Sequence, residues 1–117
     1  MAASKSVSVL ISELNQGRKK LEETIPEVME RFGALREAVY AKGKLSAKEK
    51  SLIALAIAVA KQCDYCVAGH LLQAVEAGAD DQEIMEAVSI AIVMSGGPGV
   101  AYAGLVKRGL EELRGKR

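Results

Sequence analysis

Two cysteines and a lone histidine fall within eight residues of one another, as Cys63-Asp64-Tyr65-Cys66 followed by His70. The spacing has a chemical meaning if a helix begins at or next to the first cysteine. At about 100° of rotation per residue, Cys63, Cys66 and His70 then share an arc of roughly 60° on one helix face. Sulfurs three residues apart on a first turn can close a disulfide. The free N–H groups of a helix start stabilise a thiolate and draw the cysteine pKa from about 8.5 towards neutrality. His70 can accept or relay the thiol proton, because histidine titrates near neutrality without perturbation. The pattern points to a redox-active dithiol.

Other chemistries fit these residues less well. A closed structural zinc site takes four ligands, whereas this stretch offers two cysteines and one histidine with no second cysteine pair. A metal would therefore need a carboxylate, a water or another subunit, and no metal ligands are assigned. Two cysteines can also be inert core residues, and an isolated histidine is often a satisfied core residue. The shared register of the three side chains favours chemistry over both. Tyr65 reads as a packing residue at the edge of the site. Glu49 is a candidate general base upstream, although its spacing from Ser46 already gives it a capping role.

These residues need a helical frame, and the rest of the chain provides one. Apolar residues recur at three- and four-residue steps, with no alternating strand pattern of useful length. A short first helix is expected over residues 7–17, with Val7, Leu10, Ile11 and Leu14 on one face. A second is expected over 26–41, opened by Pro26 and stopped by Gly43, burying Val28, Met29, Phe32, Leu35 and Val39. Ser46 and Glu49 stand in capping-box spacing before 52–60, a run apolar all round that suits the centre of a bundle. The cysteine helix runs from Cys63 or Asp64 to Ala77 and closes at Gly78. Asp80 and Glu83 form a second capping-box pair, opening a helix that buries Ile84, Val88, Ala91, Ile92 and Met94. Gly96-Gly97-Pro98-Gly99 is expected to break the chain before a last helix over 100–113. Arg114, Lys116 and Arg117 follow, favourable against a helix C-terminus. The fold class is all-α, a bundle of five to six helices in one domain spanning 1–117.

Composition narrows the function. Counting glycine and omitting tyrosine, 66 of 117 residues are apolar, above the usual range of about 45–50%. That excess predicts surface for contacts between copies of the chain. Sixteen basic and fifteen acidic residues leave a net charge of +1, and only 3% of residues are aromatic, so neither a field nor a stacking platform favours nucleic acid. The longest apolar run has nine residues, against about twenty for a bilayer span. Residues 1–16 lack the continuous apolar core of an export signal. A cytoplasmic location and no membrane partner are the expectation, and in that reducing compartment a cysteine pair calls for a catalytic or metal-binding explanation.

The chain resembles the carboxymuconolactone decarboxylase-like family, and within it the alkylhydroperoxidase D-like branch. The resemblance runs over residues 48–104. It is carried by Lys-Glu-Lys-Ser-Leu-Ile-Ala-Leu-Ala-Ile-Ala-Val-Ala, by Cys-Asp-Tyr-Cys-x-x-x-His, by Ala-x-x-Ala-Gly-Ala and by Met-Ser-Gly-Gly-Pro-Gly. It implies an all-helical fold, homo-oligomers (often trimers or hexamers) and a thiol-dependent hydroperoxide reductase with no bound cofactor. In that pattern Cys66 attacks the peroxide and becomes a sulfenic acid, Cys63 condenses with it to a disulfide, and His70 serves the proton relay. An external dithiol, such as dihydrolipoamide or a small redoxin, restores the thiols.

Two positions depart from the branch. Ser51 stands where its relay carries a glutamate, and Tyr65 stands where its well-known peroxidases have a second histidine between the cysteines. Ser51, Tyr65 and Glu49 are therefore supporting candidates beside Cys63, Cys66 and His70. Serine orients water but is a poor base, so either the peroxidase activity is weak or a carboxylate from elsewhere serves it, with Glu76, Glu83 and Glu86, brought in by oligomerisation, as candidates. The alternatives to a peroxidase are a metal-binding or redox-sensing helical oligomer without turnover, and a lactone decarboxylase.

Overall fold

The computed structural model describes residues 5–115. They form six α-helices, with no strand among the described residues: α1 (Val7–Thr24), α2 (Pro26–Tyr40), α3 (Ala47–Lys61), α4 (Asp64–Glu76), α5 (Asp81–Ser95) and α6 (Gly97–Leu113). Residues 1–4 of the stretch without an export signal, and Lys116 and Arg117 of the basic end, lie outside the described residues.

Helices α3, α4, α5 and α6 pack around one core, and α1 closes it against α4 and α6. Leu55, Ala58 and Val59 of α3, Val67, Ala68, Leu71 and Ala74 of α4, and Ile84, Val88 and Ala91 of α5 are all buried. Each set repeats at three- and four-residue steps, as a helix with one inward stripe requires. Gly109 of α6 lets that helix meet α1 and α4 closely, since an added Cβ would stand 2.6 Å from Val7 Cγ2 and 2.7 Å from Leu71 Cδ2. The apolar run of α3 is central by its neighbours, but its outer strip, Ile53 and Ile57, stays about half exposed.

Both capping boxes form. Ser46 Oγ accepts the Glu49 N–H at 3.0 Å while the Glu49 carboxylate takes the Ser46 N–H at 2.8 Å, and Asp80 and Glu83 repeat the exchange at 2.8 and 2.9 Å. Helix α1 opens on Ser6, whose hydroxyl accepts the Val9 N–H. Its first free N–H groups, those of Val7 and Ser8, donate to the Glu112 carboxylate of α6 at 3.3 and 3.0 Å. At the far end of the chain, the Arg114 guanidinium pairs with Asp81 and donates to the Ala79 carbonyl, tying the end of α6 to the start of α5.

Four expectations are corrected. Helix α1 continues past Gly17 to Thr24, because Arg18, Lys19, Lys20, Leu21, Glu22 and Glu23 are strong helix formers that together outweigh the roughly 1 kcal/mol cost of one interior glycine. Helix α2 buries no residue: Val28, Phe32, Leu35 and Val39 are 53–60% exposed. It leans on α1 and touches α3 only at one end, so no second layer covers its apolar face. Lys50 of α3 secures that end by donating to the Val39 and Ala41 carbonyls at 2.8 and 2.6 Å. On α5, Met94 is 76% exposed, because its side of the helix faces away from the core. Finally, the glycine-rich break is a single residue, Gly96 at φ 70°, and Gly97, Pro98 and Gly99 already belong to α6. Proline suits a first turn, where its missing N–H has no intrahelical partner.

Candidate dithiol site

The cysteine pair sits where two helices meet almost without a loop. Helix α3 ends on Gln62, the only non-glycine residue with positive φ (58°) among those described, and the next residue, Cys63, is already the N-cap of α4. The left-handed turn at Gln62 reverses the chain in one step. Cys63 caps with its sulfur, Sγ accepting the Cys66 N–H at 3.2 Å. Cys63 and Cys66 are joined by a disulfide, with their Cα atoms 5.2 Å apart, a separation ordinary for this bond. The start of α4 therefore directs its free N–H groups and its positive dipole end at this sulfur pair.

The two sulfurs differ in their surroundings. Cys66 lines an open groove of about 360 Å³, together with Tyr65, Gly69, His70 and Gln73 of α4. Cys63 is not among the lining residues. The opposite wall comes from α1 and α2, through Leu14, Arg18 and Glu22, then Met29, Phe32, Gly33 and Arg36. Gly69 lets α1 approach α4, since a Cβ there would stand 3.1 Å from Leu14 Cδ2.

His70 is half-buried at this groove, and its hydrogen bonds define its tautomer. Arg36 Nη2 lies 3.1 Å from Gln73 Oε1, and His70 Nδ1 lies 3.1 Å from the same oxygen. A guanidinium can only donate, which identifies that Gln73 atom as the amide oxygen. The oxygen can only accept, so His70 Nδ1 carries a proton. In the neutral ring the basic lone pair is then on Nε2. Burial, the largest influence, holds the His70 pKa below its ordinary value, the Gln73 bond opposes it, and the Arg36 charge adds to the lowering. At neutral pH His70 is thus an uncharged base with a defined accepting nitrogen.

The supporting candidates fall in different places. Tyr65 is at the groove, and its hydroxyl donates to Glu13 of α1 at 2.7 Å, which, with burial, raises its pKa and keeps it protonated. Lys5 holds the same carboxylate at 2.8 and 2.9 Å. Ser51 is buried in α3 and is not a groove residue. Glu49 is exposed and engaged in its capping box. None of Glu76, Glu83 and Glu86 lines the groove in the single chain; Glu83 is held by the Asp80 capping box and by Lys48. The groove's carboxylate is Glu22, which the sequence reading missed by ending α1 at Gly17. Leu14, Arg18 and Glu22 repeat at four-residue steps, and a longer α1 would have put them on one face. Among the described residues, no group of three or more His, Cys, Asp or Glu is placed to hold a metal ion, and no helix is long and apolar enough to cross a membrane.

The model of the carboxymuconolactone decarboxylase family matches residues 26–106. The chain belongs to that family. Its match is wider than the 48–104 stretch legible from motifs and takes in α2 and its half of the groove wall. A family member of Legionella pneumophila, solved in its apo form, is 35% identical and superposes with a TM-score of 0.87, over 91% of this chain and 95% of that one. A Thermotoga maritima family member, described as a possible participant in an antioxidative response, is 41% identical with a TM-score of 0.68, over 74% and 89% of the two chains. An uncharacterised protein of Cupriavidus necator is 39% identical over 93 residues, which is 80% of this chain and 82% of its own length. The family fold is thus shared across the helices that build the site.

Proposed function

We propose that this family member is a thiol-dependent hydroperoxide reductase. The observation that carries the reading is the pairing of Cys66 and His70 on one open groove, with Cys63, the sulfur that caps α4, bonded to Cys66. In the reduced protein, His70 Nε2 takes the Cys66 proton. The thiolate attacks the distal oxygen of R–O–O–H, the O–O bond breaks, and the alcohol ROH leaves with a proton returned by the imidazolium. Cys66 is then a sulfenic acid. Cys63, its thiolate favoured by the helix start, attacks the Cys66 sulfur and expels water, closing the disulfide. An external dithiol of the dihydrolipoamide or small-redoxin type reopens it, so that one hydroperoxide and one dithiol give alcohol, water and an oxidised dithiol.

The antioxidative description of the Thermotoga relative agrees in kind with this chemistry. The carboxylate that the alkylhydroperoxidase D-like pattern carries at Ser51 is here best supplied by Glu22 in the groove. The test is the intact mass and free-thiol count of the reduced protein before and after one equivalent of an alkyl hydroperoxide. Rapid loss of both thiols in the wild type, with Cys66→Ser inert, is the expected result. Equal peroxide consumption by wild type and Cys66→Ser would refute the reading.

A further inference from the structure

The groove over Cys66 carries more recognition chemistry than a small peroxide needs. Its α1–α2 wall pairs apolar side chains with guanidiniums at the same helical step: Leu14 with Arg18, and Phe32 with Arg36. Residues four apart share a helix face, so each helix presents an apolar contact beside a cation. Phe32 is the chain's only phenylalanine, and it lies 54% exposed in this groove rather than in the core. Neither arginine is in an ion pair among the described residues. Arg18 donates to Asn15, a neutral partner, and Arg36 donates to the neutral Gln73 amide and lies over the Tyr40 ring at 5.2 Å. Against two guanidiniums the groove holds one carboxylate, Glu22, while His70 stays neutral. The groove therefore has a net positive charge beside a strip formed by Leu14, Met29 and Phe32.

We propose that this groove binds a carboxylate carried on an apolar chain, so that the substrates of the site are hydroperoxides of aliphatic carboxylic acids. A guanidinium fits a carboxylate through paired N–H donors, and the apolar strip takes the hydrocarbon. The groove's volume, about 360 Å³, is within the range of sites for small organic ligands, roughly 300–1,000 Å³. The substrate half of this proposal rests on the peroxidase reading. The binding half does not.

The test separates them. Dodecanoic acid below its micellar concentration is titrated into the disulfide form of the full chain by calorimetry, with dodecanol as the uncharged control. The acid is expected to bind roughly tenfold tighter than the alcohol, the gain of a single charge-assisted contact. Arg18→Glu should abolish that preference and Arg18→Gln should reduce it, with both variants checked for wild-type melting, and added salt should weaken the acid selectively. In parallel, the kcat/KM ratio for a fatty-acid hydroperoxide over its methyl ester should fall in Arg18→Glu. Equal binding of acid and alcohol, or no binding of either because a second copy of the chain covers the groove, overturns the proposal. Acid-selective binding without hydroperoxide turnover upholds the carboxylate site and refutes the peroxidase reading instead.

Discussion

Gly99 and Gly104 lie on the same helix, and adding one methyl group to each should move stability in opposite directions. At Gly99 a Cβ would stand 2.8 Å from the Ala91 carbonyl oxygen and 3.0 Å from Ile92 Cα. Both are backbone atoms of α5, which cannot rotate aside, so the two helices must separate just after the Gly96 turn. Overpacking of a tight contact costs about 1–3 kcal/mol, and a backbone obstacle puts Gly99→Ala in the upper half of that range. At Gly104 the nearest atom is Arg108 Nη1 at 3.5 Å, the far end of a flexible side chain. There alanine meets no obstacle and should recover the helix-propensity deficit of glycine, about 0.5–1 kcal/mol. At roughly 4 °C per kcal/mol for a chain of this size, Gly99→Ala should melt about 8–12 °C below wild type and Gly104→Ala about 2–4 °C above it. Thermal and urea denaturation at one fixed protein concentration measures both, since assembly makes melting concentration-dependent. A Gly99→Ala protein as stable as wild type would mean that α5 and α6 are not held at this separation.

The Gln73 bond raises the His70 pKa, so Gln73→Leu should shift the acid limb of the thiol oxidation rate to lower pH and Gln73→Glu to higher pH. Imidazole ¹⁵N shifts should show the Nδ1–H tautomer in wild type and a mixture in Gln73→Leu; unchanged shifts in both variants would remove Gln73 from its positioning role. Because the folded chain holds the His70 pKa down, the unfolded chain takes up that proton first. The His70 contribution to stability is therefore complete above about pH 6.5 and declines below it. Glu13, Glu49, Glu83 and Glu112 have lowered pKa values, so theirs persists to lower pH and is lost below the ordinary glutamate range. Denaturation midpoints from pH 8 to 3 should fall in these two stages, the first absent in His70→Gln. The exposed apolar residues of α2 outside the groove, Val28, Leu35 and Val39, with Ile90, Val93 and Met94 of α5, should drive self-assembly. Light scattering should give a multiple of the chain mass, and Val93→Glu, at a position 80% exposed in the single chain, should lower it; a monomeric wild type at micromolar concentration would contradict this.

The features readable in the sequence were those fixed by neighbours along the chain. Both capping boxes, the start of α4 next to Cys63 and its stop at Gly78 depend on residues within a turn of each other. The common register of Cys66 and His70 follows from helix geometry alone, whereas Cys63, an N-cap with extended backbone, does not line their groove. The groove wall does not follow in that way, because Arg18, Glu22 and Arg36 share a groove with Cys66 only through the way α1 packs on α4 and α2 on α1. Ending α1 at Gly17 removed two of these three residues from consideration. Amphipathic spacing marked Val28, Phe32, Leu35 and Val39 as one apolar face, but periodicity does not say whether that face meets its own chain or another molecule. Gly97-Pro98-Gly99 misled for a different reason, since residues that usually end helices also begin them.

The 3.0 Å bond from the Ser8 N–H to the Glu112 carboxylate, between residues 104 apart in sequence, ties the first turn of α1 to the last turn of α6. Helices α1 and α6 thus lie side by side although they are the most widely separated in sequence. A circular permutant joining Gly115 to Lys5 through a short linker, and opened in the exposed stretch between α2 and α3, would retain every helix. It would also turn the most distant pairing in the fold, α6 with α1, into a connection between sequence neighbours. Loop closure would then cost less before those contacts form, and the permutant should fold faster than the natural order, with the dithiol groove unchanged.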